Sequence, residues 1–174
     1  SGGFTLTPGQ TTRTIQVGSL ERRYILYVPT GYINKVVFAF HGGGSNPTSF
    51  ITQTGLITKA DNAKFIVVFP YGTPSTGNPE ILLTWNAEFC CGLAMNNNID
   101  DLSFVQAMKA ELINLLGDGT ARFFATGFSN GALLCEVLAQ SDPSLFDAIA
   151  SVAGVYKGIQ SNDPNPTLPA DPTI

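Results

Sequence analysis

Apolar residues along this chain follow two rhythms that change over at definite points. Residues 12–17 and 22–28 read as two strands joined at the Gly18-Ser19 turn, which predicts a two-stranded hairpin. Residues 35–40 (KVVFAF) and 64–69 (KFIVVF) are short, nearly continuous apolar runs, the pattern of strands covered on both faces. Between those runs, a single helix is predicted over residues 48–61, behind the polar stretch Ser45-Asn46-Pro47. A second helix is predicted to open at Asn98-Ile99-Asp100-Asp101 and run to Leu116. Phe104, Val105, Met108, Leu112, Leu115 and Leu116 recur along it on a helical period. A strand over residues 122–126, a helix over 132–140 and a last strand over 148–153 complete the pattern. Strands alternating with helices after an initial hairpin predict an α/β fold, with a mostly parallel central sheet and helices on both faces. Residues 70–95 read as one long irregular segment, and loops of that length usually carry function.

The strand–turn–helix near residue 129 contains Gly127-Phe128-Ser129-Asn130-Gly131, a G-x-S-x-G nucleophile elbow in its expected context. Ser129 is expected at the tip of a strained turn, above the positive end of the following helix, where it can attack an ester carbonyl. The strand KVVFAF runs into His41-Gly42-Gly43-Gly44, where a glycine-rich loop brings bare backbone N–H groups close to a developing oxyanion. Gly43 and Asn130 are the expected donors, with His41, Gly42 and Gly44 supporting the loop. His41 is the only histidine and precedes these glycines, so it is expected to brace the loop by hydrogen bonding, with no role as general base. Asp100 and Asp101 both read as helix caps. Trp85 reads either as a wall of the substrate pocket or as packing for its loop.

Composition narrows the classes. With 174 residues, 44% of them apolar, the chain matches one domain with a proper core. Net charge is −4 and the nine basic residues are scattered, which argues against nucleic-acid binding. No apolar run approaches the roughly 20 residues needed to span a bilayer. Cys90, Cys91 and Cys135 do not have zinc-ligand spacing, and no metal is expected. One of the adjacent pair could bridge to Cys135, with Cys91–Cys135 the pairing adopted here; a buried, free Cys135 is the alternative.

Four ordered motifs carry a resemblance: the HGGG loop, Thr84-Trp85-Asn86-Ala87 running into Cys90-Cys91-Gly92, Asn98-Ile99-Asp100-Asp101, and the elbow with Ala132. Over about residues 11–154 they resemble the esterase/polyhydroxybutyrate depolymerase-type family, which includes feruloyl and acetylxylan esterases of the α/β-hydrolase fold. The resemblance implies a secreted, extracellular serine carboxylesterase without cofactor. Ser129 is its nucleophile, and feruloyl or acetyl esters of plant cell-wall polysaccharide are its expected substrates. A polyhydroxyalkanoate depolymerase and a non-catalytic esterase-like binding module are the alternatives. In that family a catalytic aspartate and histidine follow the last strand found here. Residues 1–174 are therefore expected to be the N-terminal portion of one α/β-hydrolase domain, lacking its C-terminal strands. The Asp and His are expected on a C-terminal fragment of the same protein, a separate polypeptide produced by nicking within residues 158–174.

Overall fold

The computed structural model describes residues 6–117 and 119–154; the stretch expected to be nicked lies outside them. A six-stranded sheet is ordered β1-β2-β4-β3-β7-β8. β1 (Gly9–Val17) and β2 (Leu20–Val28) form the antiparallel hairpin, and β2 pairs antiparallel with β4 (Ile66–Pro70). From β4 onward the sheet is parallel: β3 (Lys35–Phe40) lies between β4 and β7 (Arg122–Phe128), and β8 (Ala148–Val152) follows β7. β8 is an edge of the sheet among the described residues.

The period of two in these strands sorts the core into two layers. Val36, Phe38 and Phe40 of β3 point to one face with Ile66 and Val68 of β4. There they meet Phe104, Met108 and Leu112 of α4 (Asp101–Leu116) and Leu134 and Leu138 of α5 (Asn130–Ser141). Ala39, Val67 and Phe69 point the other way, against Phe50 of α1 (Pro47–Thr54) and Ala60 of α2 (Leu56–Ala63). The predicted α/β architecture, a largely parallel sheet with helices on both faces, is what forms.

Two local readings are corrected. The helix predicted over residues 48–61 is divided at Gly55, whose φ of 60° closes α1 and opens α2; its N–H donates to the Ile51 carbonyl. A left-handed glycine is the commonest helix stop, and here it outweighs the continuing apolar period. The long segment over 70–95 contains a two-stranded ribbon, β5 (Thr73–Pro74) with β6 (Leu83–Thr84), and a short helix, α3 (Gly92–Asn96).

Asp100 does cap α4, accepting from the Ser103 N–H at 2.8 Å and from its hydroxyl at 2.7 Å. These bonds hold its carboxyl below the usual carboxylate range. Asp101 does not act as a cap. It is buried, pairs with Arg22 at 2.8 Å and accepts the Asn86 N–H at 2.8 Å. Burial pushes this carboxyl up, against the pull of Arg22 and of the Asn86 N–H. The Arg22 guanidinium also lies 4.1 Å from the centre of the Phe104 ring. The pair ties the hairpin and the segment before α3 to the start of α4.

Candidate active site

β7 passes into α5 through Ser129, which is exposed and adopts φ 52°, ψ −115°. Such a conformation is costly for a residue with a side chain and persists only where the surroundings enforce it. The enforcing bonds are the Ser129 N–H to the Val152 carbonyl at 2.9 Å and the Leu133 N–H to the Ser129 carbonyl at 3.0 Å. The flanking glycines are needed for close approach. A Cβ on Gly127 would stand 2.3 Å from the Gly131 oxygen, and one on Gly131 would stand 2.3 Å from the Phe40 oxygen. Backbone thus packs on backbone where α5 meets the end of β3. Ser129 is held at the N-terminus of α5, whose partial positive charge favours a developing anion.

The loop after β3 meets this elbow from the other side. A Cβ on Gly42 would stand 3.1 Å from the Phe128 ring, and one on Gly43 would stand 3.2 Å from the Asn130 Cβ. Gly43 and Asn130, the two expected donors, are therefore neighbours across the site. Gly44 has a φ of 79° and donates its N–H to the Leu83 carbonyl at 2.8 Å.

His41 lies fully buried behind the loop. Nδ1 is 2.8 Å from the Gly42 carbonyl oxygen and Nε2 accepts the Gly72 N–H at 3.1 Å. Since a carbonyl can only accept and an N–H can only donate, the proton is assigned to Nδ1 of a neutral ring. Burial pulls its pKa down to about 4, against a smaller upward pull from the Gly42 carbonyl. Both nitrogens are occupied, so His41 braces the loop and takes no proton from Ser129.

Trp85 is fully buried and packs edge-to-face on Phe40, with ring centres 5.5 Å apart. This packing is the second of its two sequence readings. Its ring is 4.9 Å from that of His41, and its Nε1–H donates to the His41 carbonyl at 2.9 Å. The backbone of Trp85 is held in turn by the Asn130 side chain. Oδ1 accepts the Trp85 N–H at 2.8 Å, and Nδ2 donates to the Trp85 carbonyl at 3.1 Å. Nδ2 also reaches the Cys90 carbonyl at 3.4 Å.

The expected Cys91–Cys135 bridge is not formed. Cys90 and Cys91 are joined to each other, and Cys135 is a free, buried thiol on the inward face of α5. It packs in the core with Leu134 and Leu138, and burial raises its pKa well above the ordinary thiol value.

Two features here were not anticipated: the clamp made by the Asn130 side chain, and the Arg22–Asp101 pair. The second had a signal. Arg22 occupies the inward register of β2 shared by Tyr24, Leu26 and Val28, where a cation needs a buried partner. The first had none, because it joins residues far apart in the chain.

No family model matches this sequence. It is 29% identical to feruloyl esterase B of Talaromyces stipitatus over 140 residues, which cover 79% of this chain and 37% of that protein. It is 26% identical to acetylxylan esterase A of Emericella nidulans over 163 residues, 91% of this chain and 51% of that one. The chain thus spans about half or less of the length of these relatives. The fold is shared with the acetyl xylan esterase of Aspergillus awamori, with a TM-score of 0.58 at 21% identity over 85% of this chain and 53% of that one.

Proposed function

We propose that this α/β-hydrolase-fold chain, whose relatives are feruloyl and acetylxylan esterases, is the nucleophile-bearing portion of a secreted serine esterase of plant cell-wall polysaccharide. The observation that carries the reading is the meeting of an exposed, strained Ser129 with Gly43 and Asn130 at the N-terminus of α5.

In this reading Ser129 Oγ attacks the ester carbonyl carbon as its proton passes to a base. The Gly43 and Asn130 N–H groups receive the oxyanion, a contribution of about 2.7–4 kcal/mol of barrier for each donor of this kind. The bond to the leaving alcohol breaks, and the alcohol takes the proton. Water then repeats the sequence on the acyl-enzyme and releases the acid. The base lies outside this chain, since His41 is its only histidine and both ring nitrogens are committed. A C-terminal remainder of the same protein supplies it, with the aspartate that orients it, and adds to the sheet beside β8. The position of β8 at an edge of the sheet among the described residues supports this placement.

The test is fluorophosphonate labelling of the complete protein, followed by rates on ethyl ferulate, acetylated xylan and a hydroxybutyrate oligomer. Label on Ser129 with turnover of the ferulate or the acetate is expected. Label with turnover of the oligomer alone would move the assignment to a polyester hydrolase. No label and no turnover would leave an esterase-like binding module.

A further inference from the structure

The Gly43 and Asn130 N–H groups come from opposite sides of the site, yet the polar contacts behind them form one continuous tie. Asn130 grips the Trp85 peptide at both its N–H and its carbonyl. The Trp85 indole N–H then reaches across at 2.9 Å to the His41 carbonyl, two residues before Gly43. Every group in this tie is buried: Asn130 is 2% exposed, and Trp85 and His41 are fully enclosed. No water competes for these bonds, and breaking one strands a buried polar group. From these contacts we infer that Trp85 and the Asn130 side chain are positioning residues. The indole acts as a strut that sets the separation of the two oxyanion donors, and the inference rests on the esterase reading above.

Two observations favour a positioning role over simple core packing. Packing alone calls for neither the amide of Asn130 nor the nitrogen of the indole, yet each makes hydrogen bonds to backbone groups of the facing segment. The tie also joins the two segments whose spacing the chemistry depends on, and both contact it directly. Asn130 supplies one donor itself, and a Cβ on Gly43 would stand 3.2 Å from the Asn130 Cβ. Electrostatic stabilisation in such sites is steep in geometry, with donors required 2.7–3.1 Å from where the oxyanion will be. A shift of a few tenths of an ångström in one segment therefore acts on the transition state more than on the bound ester.

The test uses the complete enzyme with Trp85→Phe and, separately, Asn130→Ala. Trp85→Phe keeps an aromatic ring against Phe40 and removes only the indole donor and the outer part of the ring system. For either variant, kcat on an aryl acetate is expected to fall about tenfold or more with KM within about twofold. Affinity for a trifluoromethyl ketone, whose adduct carries the oxyanion, is expected to fall by the same factor as kcat/KM. The double variant is expected to lose less than the product of the two single losses, because both cut one tie. A folded Trp85→Phe enzyme with unchanged kcat, or a loss confined to KM, would overturn the inference.

Amide hydrogen exchange supplies a readout independent of turnover. Each variant is expected to speed exchange at Gly42–Gly44 while leaving β3 protected. Unchanged exchange there would overturn the strut whether or not the wild-type protein hydrolyses esters. An absence of esterase activity in the wild type would count against the esterase reading alone.

Discussion

Lowering the pH from 7 to 4 charges His41 in the unfolded chain well before it charges the folded one. The ordinary value is 6.5, and burial brings the folded value to about 4. Between these limits the unfolded state binds more protons, so stability rises with pH across the window. The contribution of neutral His41 is complete above 6.5 and is lost as pH falls toward 4. At 1.36 kcal/mol per pKa unit, the loss comes to about 3 kcal/mol. Urea unfolding followed by circular dichroism at a series of pH values measures it, with His41→Gln as reference. The variant is expected to be the less stable protein at pH 7, through loss of the Gly42 and Gly72 contacts. Its disadvantage should shrink by about 3 kcal/mol by pH 4. Carboxylates such as Asp100 also titrate as pH falls, but they do so in both proteins and cancel in the difference. A second reading is optical. Trp85 is the only tryptophan, its ring lies 4.9 Å from that of His41, and a protonated imidazole quenches indole emission. Quenching of the folded protein should have its midpoint near 4. Parallel stability curves for the two proteins, or a quenching midpoint at the ordinary histidine value, would refute the assignment of His41 as a buried neutral brace.

Replacing Arg22 by Met should cost about 3–5 kcal/mol, because Asp101 would be left buried and unpaired; adding Asp101→Asn should recover much of it, read by denaturant midpoint. Ser129→Gly should abolish fluorophosphonate labelling while raising stability by about 1 kcal/mol, since glycine adopts a φ of 52° without strain; a loss of stability would show that the turn is not strained. Cys135 should resist iodoacetamide at pH 8 in the folded protein and react once it is unfolded in urea, with peptide mass mapping as the assay.

How far this molecule is legible in its sequence depends on the distance over which each feature is decided. β3 occupies the predicted run 35–40 because an apolar stretch between breakers needs no further information. The elbow and the HGGG loop are legible for the same reason: each is a local string whose chemistry is set by its own glycines. The helix break at Gly55 is also local, but it rests on one glycine, and a lone glycine inside a helical stretch does not by itself mark a stop. Asp101 resembled a cap because it sits beside one, and only its partner Arg22, on another element, decides otherwise. Trp85 and the cysteines lie at the far end of this scale. Whether an indole lines a pocket or props a loop depends on Asn130 and His41, and the cysteine pairing depends on the inward face of α5.

The parallel pairing of β3 with β7 sets Lys35 opposite Arg122 and Phe40 opposite Gly127. Gly43 and Ser129 both lie just beyond this pairing, so the site exists only once a long intervening stretch of chain has been looped out. Loop-closure entropy is paid before such a contact gives anything back, and non-local pairings of this kind slow folding. No contiguous short fragment contains both halves of the site, and a nascent chain cannot assemble it until α5 has been synthesised. A serine set for activation would thus be a late product of folding, held back by topology before any base can reach it.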